Sequence, residues 1–170
     1  MTRTKNVYIM PIRKKDFKLA ISDPNAHNGI LQHAIDFPLP EGTEIISAYD
    51  GIVINTKSNS SKGGLEKKYN HLKYLNFIVI KHKNNEYSEY SHLKFKSVFV
   101  KKGQRVKVGE VIGYSGNTGY SSSPHLHFHV CTRGSLEDIG ETLDIQFSKP
   151  FKIKRKESDL TENDKKLLGR

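Results

Sequence analysis

The chain of 170 residues has no tryptophan and a single cysteine, Cys131, so no disulfide can close within it. That lone thiol follows a stretch with three histidines and reads as a buried, inert side chain, with a metal ligand as the alternative. Long apolar runs are also missing. None approaches the ~20 residues that a membrane-spanning helix requires, so no membrane span is expected. The opening MTRTKNVYIMPIRKKDFKLA has charge but lacks the apolar centre of a secretory leader. No long segment keeps a 3.6-residue period, and no H-E-x-x-H is present, which excludes a helix-borne metal site of that kind. Acidic residues are scarce, with 18 Asp and Glu against 28 Lys and Arg and a formal charge of +10. Such an excess favours an anionic partner. The basic residues do not form arginine clusters with interleaved aromatics, so nucleic acid is not the expected one.

What the chain does have is short apolar runs rich in β-branched and aromatic residues. NVYIMPI, TEIISAYDGIVINT, YLNFIVIKH, YSEYSHL, RVKVGEVIGYSG, HLHFHVCT and LDIQF all read as strands, separated by Gly, Asn, Pro and Ser. KHKNNEY reads as a hairpin turn, and SKGGLEKKYNHLKYL is the one internal segment suited to a short helical turn. The expected class is all-β. VKKGQRVKVGEVIG has the pattern of the small hairpin sandwich seen in biotinyl and lipoyl carriers, but its turn lacks their M-K-M-type tip, which counts against a carrier. After Lys149 the chain turns hydrophilic, and residues 150–170 are expected to form a charged tail with one strand and a frayed helix.

The densest chemistry lies in SSSPHLHFHV. In a strand, His125, His127 and His129 share one face. H-x-H is a weak signal alone, but this one follows a Gly- and Ser-rich loop, where the backbone is open to a ligand. EYSHL supplies His92, and HNGILQHAIDF supplies His27, His33 and Asp36. A catalytic zinc site needs three protein ligands and one open position, and imidazole with carboxylate suits it.

In their order along the chain, AIDFPLPEGTEIISAYDGIV, YSEYSHL and VKKGQRVKVGEVIGYSGNTGYSSSPHLHF resemble the lysostaphin/LytM-type zinc metallopeptidases. The resemblance spans residues 7–148, which places the domain at 7–149. It implies a barrel-sandwich hybrid (the duplicated hybrid motif) of antiparallel sheets with little helix. It also implies one Zn2+ per chain, with Asp36 and His127 among its ligands and His92 and His125 in catalysis. The first ligand departs from the usual H-x-G-x-D spacing. His27 preserves the H-x-G, with extra residues before Asp36, and is the expected ligand; His33 is the alternative. If QHAIDF is a strand, the odd separation of His33 from Asp36 turns them to opposite faces. His129 stands where the family usually has Glu and is expected at the surface, with a supporting role at the site as the alternative. His71 and His82 are expected at the surface.

The implied activity is hydrolysis of peptide bonds in peptidoglycan cross-bridges or stems, or of a glycine- or alanine-rich peptide, by a monomer. The implied compartment is the cell envelope or the exterior for a wall hydrolase, and the cytoplasm otherwise. Two rivals come from other classes. One is an inactive zinc- or wall-binding module that activates another hydrolase; the retained Asp36, His92, His125 and His127 argue against it. The other is a phosphocarrier of the glucose-permease IIA type, which shares the fold and uses two histidines.

Overall fold

The computed structural model describes residues 2–155 and 157–167. Its strands are β1 (Arg3–Tyr8), β2 (Ile35–Pro38), β3 (Glu44–Ile46), β4 (Gly51–Lys57), β5 (Gly63–Gly64), β6 (Phe77–Lys81), β7 (Tyr87–Ser91), β8 (Leu93–Val98), β9 (Arg105–Val106), β10 (Val111–Ser115), β11 (Gly119–Tyr120), β12 (His125–Cys131) and β13 (Asp144–Phe147). One α-helix, α1 (Glu162–Leu167), lies among the described residues, with several single 3-10 turns.

Six strands form the main sheet in the order β2-β12-β7-β6-β4-β9, and three form a second in the order β3-β10-β8. All pairings within these two sheets are antiparallel. The expected all-β antiparallel architecture is therefore present, with two short parallel pairs added, β1 with β13 and β5 with β11. One contiguous core draws on both sheets: Ile45 and Ile112 from the smaller, Ile78, Ile80, Tyr90, Leu126 and Phe128 from the larger. Phe128 is fully buried, and truncating it to Ala would cost about 3–5 kcal/mol through the lost burial and the cavity left behind.

The strand sequences explain the layering. β6 buries Phe77, Ile78, Val79 and Ile80 in succession because both of its faces are covered, so its run is continuously apolar. β12 alternates: Leu126, Phe128 and Val130 enter the core, while His125, His127 and His129 take the other face. The GQRVKVG segment turns at Gly103 (φ +86°) and Gly109 (φ +83°), a backbone region that residues with a Cβ enter only at a cost. KHKNNEY makes the expected turn from β6 to β7, with Asn84 and Asn85 at positive φ. SKGGLEKKYNHLKYL forms two 3-10 turns, Lys67–Asn70 and Leu72–Tyr74.

Beyond β2 the chain adds two further edges. Ile21 exchanges backbone hydrogen bonds with Asp36 (2.9 and 2.7 Å), and Lys154 N donates to Ala20 O while Ser22 N donates to Lys154 O (both 2.9 Å). Packing thus continues past residue 149: Phe151 sits against Phe17, Phe37 and Phe147, with ring centroids 5.4, 6.0 and 4.6 Å away. Thr161 caps α1 by accepting from the Asp164 amide, and its own amide and hydroxyl donate to the Asp164 carboxylate.

Two sequence expectations are corrected here. His82 is buried rather than exposed, between Tyr8 and Tyr49, with ring centroids 5.4 and 5.8 Å away. His129 is buried as well, because its strand runs in the middle of the sheet beside β7. Cys131 is buried, and its thiol, donating to Arg133 O, is pushed up to about 12 by burial.

Candidate active site

The site is assembled by register. Asp36 on β2 lies directly opposite His127 on β12, and His127 lies opposite Ser91 on β7. The Asp36 carboxylate therefore meets the His127 ring across one strand spacing, with Oδ1 3.0 Å from Nδ1. His27 arrives from the segment that leaves Ile21, and its Nε2 lies 3.2 Å from Asp36 Oδ2. One donor atom from each of His27, Asp36 and His127 lies within 4.8 Å of the others, so the three could hold one metal ion. The donor set fits such an ion chemically: a single carboxylate ringed by imidazole nitrogens is short of positive charge. Burial alone would raise the Asp36 pKa, but His125, His127 and His27 around it hold the carboxyl well below its usual range. Burial opposes charge on His27, yet the bond to Asp36 and its charge raise the imidazole pKa overall.

His33 is not part of this group. It is buried, its amide faces the Thr142 hydroxyl, and its electrostatic neighbours are Asp144 and Arg155. His33 lies in the turn before β2 and not in the strand, so the strand-face argument does not apply to it; its separation from the group comes from that turn.

His92 and His125 stand beside the group with ring centroids 4.5 Å apart. Both rings are held through Nδ1, His92 by Thr118 O (2.7 Å) and His125 by Ser123 O (2.8 Å), with the Ser121 hydroxyl 3.1 Å away. A carbonyl oxygen only accepts, so each Nδ1 carries a proton, and in the neutral ring each Nε2 presents a lone pair. His125 Nε2 lies 3.7 Å from Asp36 Oδ1. Burial, then the neighbouring His125 and His127, lower the His92 pKa to about 3, so this imidazole is neutral in the ordinary range.

His92 reaches its place through a strained backbone. Its φ is +64°, between the ends of β7 and β8. This left-handed conformation costs about 1–2 kcal/mol in a residue with a Cβ. It is held by Asn76, which accepts from Leu93 N through its carbonyl and donates to Leu93 O, and by Thr118, whose hydroxyl donates to Leu93 O. The Asn76 amide in turn donates to the Thr118 hydroxyl at 3.1 Å. Sequence reasoning missed Asn76. Its only signal is a polar residue opening the buried run NFIVI.

The residues open onto a groove of ≈ 660 Å³. One wall is the segment around residues 63–75, pinned at Gly63 against the turn between β10 and β11. A Cβ at Gly63 would lie 2.0 Å from Asn117 O. Ile30, Leu65, Leu72 and Tyr120 line the groove although each is substantially exposed. His71, assigned no role from sequence, lines it too.

Residues 31–139, well over half of the chain, match the family described as Peptidase family M23. The chain belongs to peptidase family M23. Asp36, His92, His125 and His127 lie within the matched M23 residues, and His27 lies just before them. Among curated relatives, the chain is 39% identical over 113 residues to an uncharacterized metalloprotease of Buchnera aphidicola, covering 64% of this chain and 26% of that protein. It is 38% identical over 108 residues to the peptidoglycan DD-endopeptidase ShyA of Vibrio cholerae, covering 64% of this chain and 21% of that one. The chain thus spans well under half the length of these relatives. Among solved structures, it resembles a zinc-containing peptidase from Vibrio cholerae, with TM-score 0.54, 28% identity, and coverage of 74% of this chain and 36% of that one. It also resembles the catalytic domain of lysostaphin from Staphylococcus simulans, with TM-score 0.50, 25% identity, and coverage of 82% and 88%.

Proposed function

We propose that this M23 chain is a zinc-dependent endopeptidase that hydrolyses peptide bonds in peptidoglycan. The carrying observation is the juxtaposition of two sets at one groove: His27, Asp36 and His127 with donor atoms within 4.8 Å, and the His92–His125 pair with centroids 4.5 Å apart. One Zn2+ per chain would be held by the first set. Bound there, zinc supplies a Lewis acid for the scissile carbonyl and lowers the pKa of a water molecule toward neutrality.

The chain's own groups do the rest. The Thr118 and Ser123 carbonyls fix the His92 and His125 tautomers, so both Nε2 atoms are proton acceptors facing the groove. A neutral His92 can take a proton from the attacking water without first losing one. The same imidazole, once protonated, can pass that proton to the leaving amine. The second imidazole can donate to the oxygen on which charge develops when its Nε2 carries a proton as well as its Nδ1. The peptidoglycan assignment is supported by the named activity of ShyA, and the net charge of +10 suits an anionic wall.

The test is digestion of purified peptidoglycan with and without a chelator, with the released fragments identified by mass. Cleavage at peptide bonds, abolished by chelation and restored by zinc, is the expected result. Zinc binding with no fragment released from peptidoglycan would overturn the substrate. Cleavage unaffected by chelation would overturn the metal.

A further inference from the structure

Glu89 and His129 face each other across β7 and β12, and both are buried behind His127. His27, Asp36 and His127 form the metal donor group among the described residues without Glu89 or His129, and these two line the same groove as that group. His129 Nδ1 lies 3.3 Å from His127 Nε2. His129 Nε2 makes no conventional hydrogen bond and lies 3.5 Å from Glu89 Oε2. Glu89 Oε1 accepts the Ser91 hydroxyl at 2.6 Å. Burying three polar side chains in a row behind a metal-site residue is costly unless each finds a partner.

We infer that His129 and Glu89 are positioning residues that select the ring tautomer and orientation of His127, so that its Nδ1 is the nitrogen offered to the metal. The inference rests on the zinc reading above. The geometry puts His127 Nδ1, not Nε2, beside Asp36. A ligating nitrogen carries no proton, so a neutral His127 must hold its proton on Nε2. That N–H points at His129 Nδ1, which must then be an acceptor. His129 thereby carries its own proton on Nε2, the atom aimed at Glu89. Glu89 Oε1 accepts from Ser91, and Oε2, 3.5 Å from His129 Nε2, is the acceptor that the His129 proton would face. Each donor has one acceptor, and the chain runs in a single direction, from His127 to His129 to Glu89.

The reverse arrangement is disfavoured at its far end by an ionised Glu89. If His127 held its proton on Nδ1, the N–H would point at Asp36 and close the metal position. Its bare Nε2 would then need a proton from His129 Nδ1, which would turn a lone pair on His129 Nε2 toward the Glu89 carboxylate. Glu89 makes that the poorer choice. Cross-strand pairing fixes the distances, because His129 sits opposite Glu89 and His127 opposite Ser91. The expected metal-site role of a side chain in this position is to fix the ligand's tautomer and raise its basicity, and losing it typically weakens metal affinity by about 10–100-fold.

The experiment uses the full chain and zinc alone, with two readouts: the zinc dissociation constant by chelator competition, and the His127 tautomer by long-range proton–nitrogen NMR of the histidine rings. His129→Phe keeps bulk and removes the acceptor; affinity should fall by about 10–100-fold, and the proton on His127 Nε2 should no longer dominate. His129→Gln can accept through its carbonyl and donate to Glu89 through its amide, so it should restore near wild-type affinity. Glu89→Leu leaves His129 in place without its acceptor and should weaken zinc in the same direction, which decides the matter if the Phe variant does not fold. Unchanged affinity and tautomer in a folded His129→Phe or Glu89→Leu protein would overturn the inference. Failure of the underlying zinc reading looks different: the wild-type chain would not bind zinc, or Asp36→Ala and His127→Ala would bind it undiminished.

Discussion

His82 and His129 are both buried imidazoles against β7, but they meet its opposite faces. His82 meets Ser88, which shares the core face with Tyr90; His129 meets Glu89, on the face that carries the site. The surroundings use the two rings differently. His82 is saturated: Nδ1 donates to Asp50 O at 2.8 Å and Nε2 pairs with the Ser88 hydroxyl at 2.7 Å, which continues to the Tyr90 hydroxyl. On the site face, His92 and His125 are fixed through one nitrogen and leave the other toward the groove, while His27 and His127 each turn a nitrogen to Asp36. An imidazole with both nitrogens spent on the protein braces the fold. One with a nitrogen held in reserve is available for chemistry. Histidine count and burial do not separate His82 from His92 and His125, but the nitrogen that each of the latter leaves toward the groove does.

The sharpest way to break this contrast is at Asp36. Asp36→Ala should remove zinc and lower peptide hydrolysis by at least about a thousandfold. Metal content and turnover measured on the same sample check this, and a variant that retains one zinc would remove Asp36 from the donor set. Next come His92→Ala and His125→Ala, which should each keep zinc and lose about 10²–10⁴-fold in turnover. Zinc loss in either would move that residue into the ligand group.

The opposite face should give the mirror image. His82→Phe leaves Asp50 O and Ser88 without their partner and should lower stability by about 1–3 kcal/mol, with zinc content and turnover unchanged. Denaturant unfolding beside a turnover assay separates the two effects. Burial holds the folded-state pKa of His82 below its ordinary value. Below about pH 6.5 the unfolded chain therefore binds a proton that the folded chain does not, and stability falls as pH is lowered from there. In His82→Phe that acid-side decline should be shallower; an identical pH profile would show that His82 is not held neutral.

Smaller effects belong to the groove and the surface. Gly63→Ala must push its segment away from Asn117 O and move the groove wall, so KM should rise more than kcat falls. A change confined to kcat would place the wall's influence at the reacting atoms instead. Salt should act on the wall polymer and not on the chemistry. Pelleting with insoluble peptidoglycan should weaken as ionic strength passes about 0.15 M, where the Debye length is ~8 Å, while turnover of a small soluble peptide stays nearly constant. Salt-independent pelleting would remove the basic charge from the account of substrate binding.

Much of this molecule is legible in its sequence because two kinds of signal coincide. Period-two alternation in HLHFHV separates the core-facing residues from the face that carries His125, His127 and His129, and the glycines of GQRVKVG mark real turns. Asp36 and the H-x-H histidines are recognisable because they lie inside short motifs. The rest depends on register between strands that are distant in sequence. Nothing local to Glu89 says that it lies opposite His129, nor that Asn76 clasps both sides of Leu93 and so holds His92 at positive φ. His82 reads as a surface residue because it follows Lys81 and precedes Lys83, yet its side chain turns inward beneath two tyrosines. Polar residues in charged stretches carry no mark of which way they point.

Asp36 and His127 are 91 positions apart in the chain, and the backbone that delivers His27 and Asp36 is itself clasped at Ile21 by the segment at Lys154. A ribosome therefore releases His27 and Asp36 long before their partners exist. Until β12 has been synthesised and has found its place between β2 and β7, the growing polypeptide holds only part of the site. Unfolding reverses this in one step, because separating β2 from β12 parts the carboxylate from the imidazole it faces. Any route that handles the chain unstructured would carry it inert, and its activity would begin only where folding is allowed to finish.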